Sequence, residues 1–310
     1  MWRFESKVGM AEGKTPGEVA IHYLDLNGEA DNPPVILLIM GLACQLTAWP
    51  QSLVHALRRQ GYRVVVFDNR DIGLSTEIKA RLKGPAPLAF ARYKLGLSVD
   101  APYDLYTMAE DAVRLLDHLN ISVAHVVGAS MGGMIAQILS ARYPSRVGSA
   151  TLIMTSDNHP SNPAPDWNVL WHMNGGGIKG HHLEAAMKRA MNFWEAVQSP
   201  DYPCSAVERQ RQFEASFQRS YRPAGILRQM RAIMATGHLR DLYRDIRVPV
   251  HILHGDADPL VKPACGEGLH RQIAGSRLTW IPGMGHDLPE PLMPILAGLI
   301  GDHVRAACRG

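Results

Sequence analysis

The chain has 310 residues, of which 46% are hydrophobic and 20% charged, with a formal net charge of +3. That length supports a large core, as one α/β domain with an insertion or as two domains. So small a charge excess, without a basic run, argues against nucleic acid or an anionic membrane as a partner.

In chain order, Met1-Trp2-Arg3-Phe4-Glu5-Ser6-Lys7 carries no apolar leader region. No segment is long and apolar enough to span a bilayer, so a cytoplasmic protein is expected. Val19 to Leu26 reads as an early strand ending at the turn residues Asn27-Gly28. After Pro33-Pro34, the unalternating apolar run Val35-Ile36-Leu37-Leu38-Ile39 predicts a strand buried on both faces of a parallel sheet. It runs into the loop Met40-Gly41-Leu42-Ala43 and a helix from about Thr47 to Gln60, which Gly61 ends. Tyr62 to Phe67 is a second buried strand, and Asp68 to Ser75 a polar turn. Ala80 to Tyr103, rich in Gly and Pro, reads as a loop with one short helix. Tyr106 to Leu119 has the apolar spacing of an amphipathic helix.

The chain is organised around the stretch that follows. Val123-Ala124-His125-Val126-Val127 is a strand, and the pattern turns helical after Ser130. Gly128-Ala129-Ser130-Met131-Gly132 is therefore a G-x-S-x-G pattern between a strand and a helix, the context a nucleophile elbow requires. Ser130 Oγ would stand at the carboxyl edge of the sheet, where open α/β folds place ligands. The amide of Met131, at the start of the helix, would face developing negative charge there.

Pro144 closes that helix, and Ser149 to Met154 is the next strand. The β/α rhythm then stops. From Asp157 to His238 there is no convincing strand, but there are helical runs at Leu183 to Val197 and Ala206 to Arg219. The rhythm resumes at Val248 to Leu253 and at Arg277 to Ile281, and a last helix spans about Pro291 to Cys308. Alternating strands and helices imply an α/β fold with a mostly parallel central sheet flanked by helices. The expected division is a core of 1–156 and 239–310, with a helical cap at 157–238.

A serine hydroxyl needs a base to take its proton and a carboxylate to orient that base. In an elbow fold the chain order is serine, acid, histidine. His254-Gly255-Asp256-Ala257-Asp258-Pro259 follows one late strand, and Gly283-Met284-Gly285-His286-Asp287 follows the last. Asp258 is favoured over Asp256, which sits in the turn itself and suits a local cap. His286 stands out among the 14 histidines by its position and its glycines. His181, His182 and His251 read as ordinary structural residues, and Asp287 as a cap or a surface charge.

Together, the motifs at Gly128 to Gly132, Gly255 to Pro259 and Gly285-His286 resemble the α/β-hydrolase family over nearly the whole chain. Leu38-Ile39-Met40-Gly41-Leu42, Ala48-Trp49-Pro50 and Asp68 to Ser75 are similar to bacterial esterase-like members that include the aclacinomycin methylesterases. The resemblance implies that the Leu42 amide is a second oxyanion donor beside Met131. Many members carry His-Gly where this chain has Met40-Gly41, which leaves the hydrogen bonding of that loop open. The family pattern also suggests that Asn69-Arg70 stabilises the loop over the sheet.

Gly175-Gly176-Gly177-Ile178-Lys179-Gly180 lacks the spacing of a phosphate loop and follows no strand, so it reads as a cap loop. No spacing supports a nicotinamide cofactor or a metal. Cys44, Cys204, Cys265 and Cys308 are scattered, which predicts free thiols.

The expected activity is a cofactor-free serine hydrolase of carboxylic esters. Lactonase, carbon–carbon bond hydrolase and perhydrolase use the same triad and stay open, as does a non-catalytic receptor or scaffold. The expected partner is a small-molecule ester. The oligomeric state stays open, a homodimer included. The insertion leaves the sheet at the edge that carries Ser130, so it is expected to lie over the site as a lid. Trp167, Trp171, Met187, Met191 and Trp194 are its candidates for the substrate pocket.

Overall fold

The β/α alternation builds a single sheet in the computed structural model, which describes residues 7–13, 18–27, 33–180 and 182–309. Met1 to Ser6, Gly28 of the expected turn, and His181 lie outside them.

The chain opens with β1 (Lys7–Ala11) and β2 (Ile21–Leu26), an antiparallel pair, and β3 (Val35–Ile39) follows. The expected helix 47–60 is interrupted. Pro50 cannot donate an amide inside a helix, so a 3-10 turn at Leu46–Ala48 precedes α1 (Gln51–Arg59). Next come β4 (Arg63–Phe67), α2 (Ala86–Lys94), α3 (Leu105–His118), β5 (Ala124–Ala129), α4 (Met131–Arg142) and β6 (Val147–Ile153). Asp104 caps α3 by accepting from the Thr107 amide at 2.9 Å.

The stretch without strands holds α5 (Trp167–Met173), α6 (Leu183–Val197), α7 (Ala206–Arg219) and α8 (Pro223–Thr236). Ser205 and Glu208 form a capping-box sequence at the start of α7, and Pro223 opens α8. The alternation resumes with β7 (Val250–Gly255), α9 (Pro263–Gln272), β8 (Arg277–Ile281) and α10 (Met293–Ala307).

Among the described residues the sheet order is β1-β2-β4-β3-β5-β6-β7-β8. β2 is antiparallel to β1 and β4, and the other pairings are parallel. The central strands are buried on both faces, as their unbroken apolar runs require. Val35, Leu37 and Ile39 pack on the face covered by α3 and α4, while Ile36 and Leu38 face α1 and α10. β1 had no signal in the sequence: its burial is partial, and it forms an edge strand on β2 alone.

The four cysteines are unpaired. Burial pushes the Cys44 thiol up to about 11 and the Cys265 thiol up to about 12, so both stay protonated and unreactive at neutral pH. Among the described residues, no helix is long and apolar enough to cross a membrane.

At the amino edge of the sheet, away from Ser130, lies a cluster of buried histidines. His125 on β5 meets Ser149 Oγ at 2.9 Å and Cys308 Sγ at 3.5 Å. His251 on β7 meets Thr279 Oγ1 at 2.8 Å, accepts from Arg277 at 3.2 Å, and packs edge-on against His303 of α10. Burial, aided by His303, lowers His125 to about 4; burial, Arg277 and His303 lower His251 to about 3. Unfolded histidines titrate near about 6.5, so below that pH the unfolded chain binds more protons than the folded one. The contribution of these rings to stability is intact above about pH 6.5 and declines as pH falls toward their folded values. Urea midpoints should therefore drop between about pH 7 and about pH 5, and His251→Gln should flatten that drop. Equal slopes for wild type and variant would contradict this account.

Candidate active site

Ser130 occupies a backbone conformation that side chains rarely adopt, with φ 54° and ψ −119°. Its neighbours enforce it. The Ser130 amide donates to the Ile153 carbonyl at 2.9 Å, and Thr155 Oγ1 donates to the Ser130 carbonyl at 2.7 Å. The turn also needs backbone at van der Waals distance. A Cβ on Gly128 would stand 2.2 Å from the Gly132 carbonyl oxygen, and one on Gly132 would stand 2.0 Å from that of Ile39. The two glycines of the motif therefore let α4 sit directly on β5 and on the end of β3.

Asp258 and His286 arrive on the loops after β7 and β8, at the same edge of the sheet. His286 Nε2 lies 3.1 Å from Ser130 Oγ, and its Nδ1 lies 2.7 Å from Asp258 Oδ2. Donation from Nδ1–H to the carboxylate leaves Nε2 free to accept the serine proton. Asp258 is buried, and its other oxygen accepts from the amides of Leu260 at 2.9 Å and Val261 at 2.8 Å. The carboxylate is thus fixed from one side and meets the imidazole from the other. Asp256 is directed elsewhere, accepting from the Gly283 amide at 2.7 Å and joining the two late loops.

His254 carried no functional signal in the sequence, yet it is fully buried beside the acid. Its Nε2 donates to the Val261 carbonyl at 2.8 Å and lies 3.8 Å from Asp258 Oδ2. Burial lowers its pKa, so it packs as a neutral ring under the acid loop.

The loop after β3 abuts the serine: a Cβ on Gly41 would lie 3.2 Å from Ser130 Cβ. Met131 is the first residue of α4, so its amide lacks an intrahelical acceptor. Leu42 follows Gly41 in the turn above it. Two side chains hold this turn. Asn69 Nδ2 donates to the Met40 carbonyl at 2.9 Å, and Gln229 Oε1 accepts from the Ala43 amide at 3.1 Å. Gln229 also donates to the Arg70 carbonyl at 2.9 Å, so a residue of α8 bridges the two loops. Arg70 itself forms a buried two-point pair with Asp111. Neither Gln229 nor Asp111 was visible in the sequence, because their partners lie far away along the chain.

The expected pocket residues separate into groups. Trp167 and Trp171 on α5 are 82% and 53% exposed and turn their rings to solvent, because α5 packs inward through Val169. They do not form the walls of a closed pocket. Met187 and Met191 on α6 are half-buried. Trp194 is buried and donates from Nε1 to Asp287 Oδ2 at 3.3 Å. Asp287 was expected as a cap or a surface charge; instead it is buried and bonded to residues of the helical insertion. Among the described residues, no group of His, Cys, Asp and Glu is arranged to hold a metal ion.

An eight-stranded sheet with a serine on a strained strand-to-helix turn, meeting a late histidine and acid, defines a class. The sequence matches the alpha/beta hydrolase fold over residues 34–290, and the chain belongs to that family. Among known proteins it is similar to the rhodomycin D methylesterase of Streptomyces peucetius, 27% identical over 311 residues, spanning 94% of this chain and 97% of that one. Among solved structures it resembles the enol-lactonase from Burkholderia xenovorans LB400, with TM-score 0.70 and 24% identity over 93% of this chain and 97% of that one. It also resembles the meta-cleavage product hydrolase from Pseudomonas fluorescens IP01, with TM-score 0.70 and 18% identity over 93% and 95% of the two chains. At these identities the structural likenesses speak for the fold.

The two aspartates differ in what an amide replacement would remove. Asp258→Asn weakens the support of the His286 ring and should lower kcat by roughly 10⁴, as in serine proteases. Asp256→Asn keeps a carbonyl oxygen for the Gly283 amide and should leave kcat within a few-fold. Steady-state kinetics on a short-chain aryl ester decides between them, and the opposite ranking would reassign the acid.

Proposed function

We propose that the protein is a serine hydrolase that cleaves carboxylic esters through an acyl-enzyme, with methyl esters and short-to-medium acyl chains as its substrate class. The observation that carries this reading is the continuous relay from Ser130 Oγ through His286 to Asp258, with gaps of 3.1 and 2.7 Å. Ser130 Oγ attacks the ester carbonyl while His286 Nε2 takes its proton, and Asp258 supports the imidazolium. The carbonyl oxygen becomes an anion that accepts from the amides of Met131 and Leu42. The tetrahedral species collapses, His286 returns the proton to the leaving alkoxide, and the alcohol departs. Water, deprotonated by His286, then hydrolyses the acyl-enzyme and restores Ser130. Every proton in this cycle moves between the triad, the substrate and water, so it closes without a cofactor.

The methylesterase relative, similar along nearly its whole length, supports an ester as the substrate. A lactone is a cyclic ester that the same groups would open. The similarity to the 3-oxoadipate enol-lactonase 2 of Acinetobacter baylyi, 24% identical over 85% of each chain, keeps lactones as the second reading. The segment 157–238 acts here as a cap, with Met187 and Met191 as its pocket candidates. A small-molecule ester as partner and the cytoplasm as compartment belong to the same proposal.

A fluorophosphonate should label wild type at Ser130 and leave Ser130→Ala unlabelled. Ser130→Ala should lose at least about a thousandfold in kcat on methyl and aryl esters while melting close to wild type. A folded wild type that is not labelled would point to the non-catalytic receptor instead.

A further inference from the structure

The loop that carries His286 is rich in glycine. Asp256 holds its start at Gly283, and the Ala257 amide donates to the Met284 carbonyl at 3.2 Å. From Gly285 to Asp287 the loop is held by the end of α6 and the residues just after it. The His286 amide donates to the Val197 carbonyl at 2.7 Å. The Gly285 amide donates to Ser199 Oγ at 2.9 Å, and that hydroxyl donates to Asp287 Oδ1 at 2.5 Å. The Ser199 amide donates to the same carboxylate oxygen at 3.0 Å. Trp194 Nε1 meets the other oxygen at 3.3 Å, and the Arg209 guanidinium lies 3.7 Å from it and over the Trp194 ring. The approach is close enough to exclude a side chain, since a Cβ on Gly285 would stand 2.5 Å from the Val197 carbonyl oxygen.

Ser199 is thus bonded to the residue before His286 and to the residue after it, and it is buried. A hydroxyl has one proton to donate and lone pairs to accept with, and here both capacities are used. The imidazole has its own bond to Asp258, but one bond through Nδ1 leaves the ring free to swing about that contact. The distance from Nε2 to Ser130 Oγ is fixed only when the backbone on both sides of His286 is fixed as well.

We infer that Ser199, acting with Asp287, is a positioning residue for His286, so that the helical insertion is part of the catalytic apparatus and not a removable lid. The inference rests on the triad proposed above. It goes beyond that reading by assigning a function to a cap residue that touches neither the substrate nor the reacting atoms. A substrate must then reach Ser130 without lifting the 197–199 segment, since lifting it would release the base.

The test compares Ser199→Ala and Ser199→Thr with wild type on a short-chain aryl ester and on a fluorophosphonate. Ser199→Ala removes one oxygen, leaving Gly285 without its acceptor and Asp287 without one donor. Its kcat and its fluorophosphonate labelling rate should fall together by roughly tenfold to a hundredfold, with KM within about twofold. Ser199→Thr keeps the hydroxyl and should recover most of the loss. Rates are normalised to folded protein and measured well below the melting transition, so lost stability does not imitate lost positioning. Ser199→Ala with kcat and labelling within twofold of wild type would overturn the inference, as would a loss confined to KM. Absent labelling of folded wild type would instead sink the triad itself, so the two failures are distinguishable.

Discussion

The constraint on which the architecture depends is the backbone of Ser130. A non-glycine residue at φ 54° and ψ −119° costs on the order of 1–3 kcal/mol, and it persists only where its surroundings over-determine it. Here they do. β5 is paired on both sides, to β3 and β6, so the strand cannot relax sideways. The helix that follows is buried along nearly all of its length, so it cannot tilt away. The Ile153 carbonyl and the Thr155 hydroxyl grip the serine peptide from β6 and the residues after it. The parallel sheet does more than supply a core. It places the loops after β3, β5, β7 and β8 at one edge, and those loops carry every group of the candidate site.

A second layer of organisation joins the helical insertion to that edge through buried charges. Arg219 of α7 pairs with Asp68 at 2.8 Å, and Arg228 of α8 pairs with Asp71 at 2.8 Å, where Tyr103 also donates at 2.6 Å. Burial by itself would raise Asp68. The bonds from His22 and Arg219 outweigh it and hold the carboxyl below the ordinary carboxylate range. Such pairs add little net stability, because desolvation offsets much of the attraction. Breaking one is costly, since it leaves a charge buried without its partner. A slipped arrangement of the helices would break these pairs and leave their charges buried and unpartnered. That matters here, because Ser199 sits in the segment between α6 and α7, and Gln229 of α8 reaches the loop after β3.

What the sequence disclosed follows the range of its signals. β3, β8, α6 and α7 lie where the apolar runs and caps put them, because strand burial and helix periodicity are local properties. Ser130, Asp258 and His286, which the glycine offsets and chain order of an elbow single out, lie within hydrogen-bond distance in succession, with His286 between the other two. The α1 boundary was blurred by Pro50, whose break comes one turn inside an otherwise helical pattern. Asp287 departs from its local pattern for a different reason. Next to a catalytic-looking histidine, a carboxylate reads as surface or cap, and only the folded chain brings Ser199 and Trp194 to it. The tryptophans show the converse. Composition marks an aromatic-rich segment, but it does not tell which ring faces inward, and α5 turns Trp167 to solvent while α6 buries Trp194.

The departure at Met40-Gly41 can be understood in the same terms. An oxyanion donor is a backbone amide, so what must be conserved physically is the orientation of a peptide, not a side chain. A histidine in this loop could fix that orientation by its ring; methionine cannot, having only a weak sulfur acceptor. The structure supplies the missing bonds from outside the loop. Asn69 holds the Met40 carbonyl, and Gln229 holds the Ala43 amide, one residue past Leu42. Ala43 has φ 64°, a left-handed conformation that an unrestrained turn would leave, so the Gln229 contact acts where restraint is most needed. Gln45 extends the same support, donating to the Ser216 and Ser220 carbonyls at 2.7 and 2.8 Å. The orientation of the Leu42 peptide is thereby tied to α7, α8 and the turn after β4. A loop whose own side chains cannot hold it has been made dependent on the docked helices, just as the histidine loop opposite depends on Ser199.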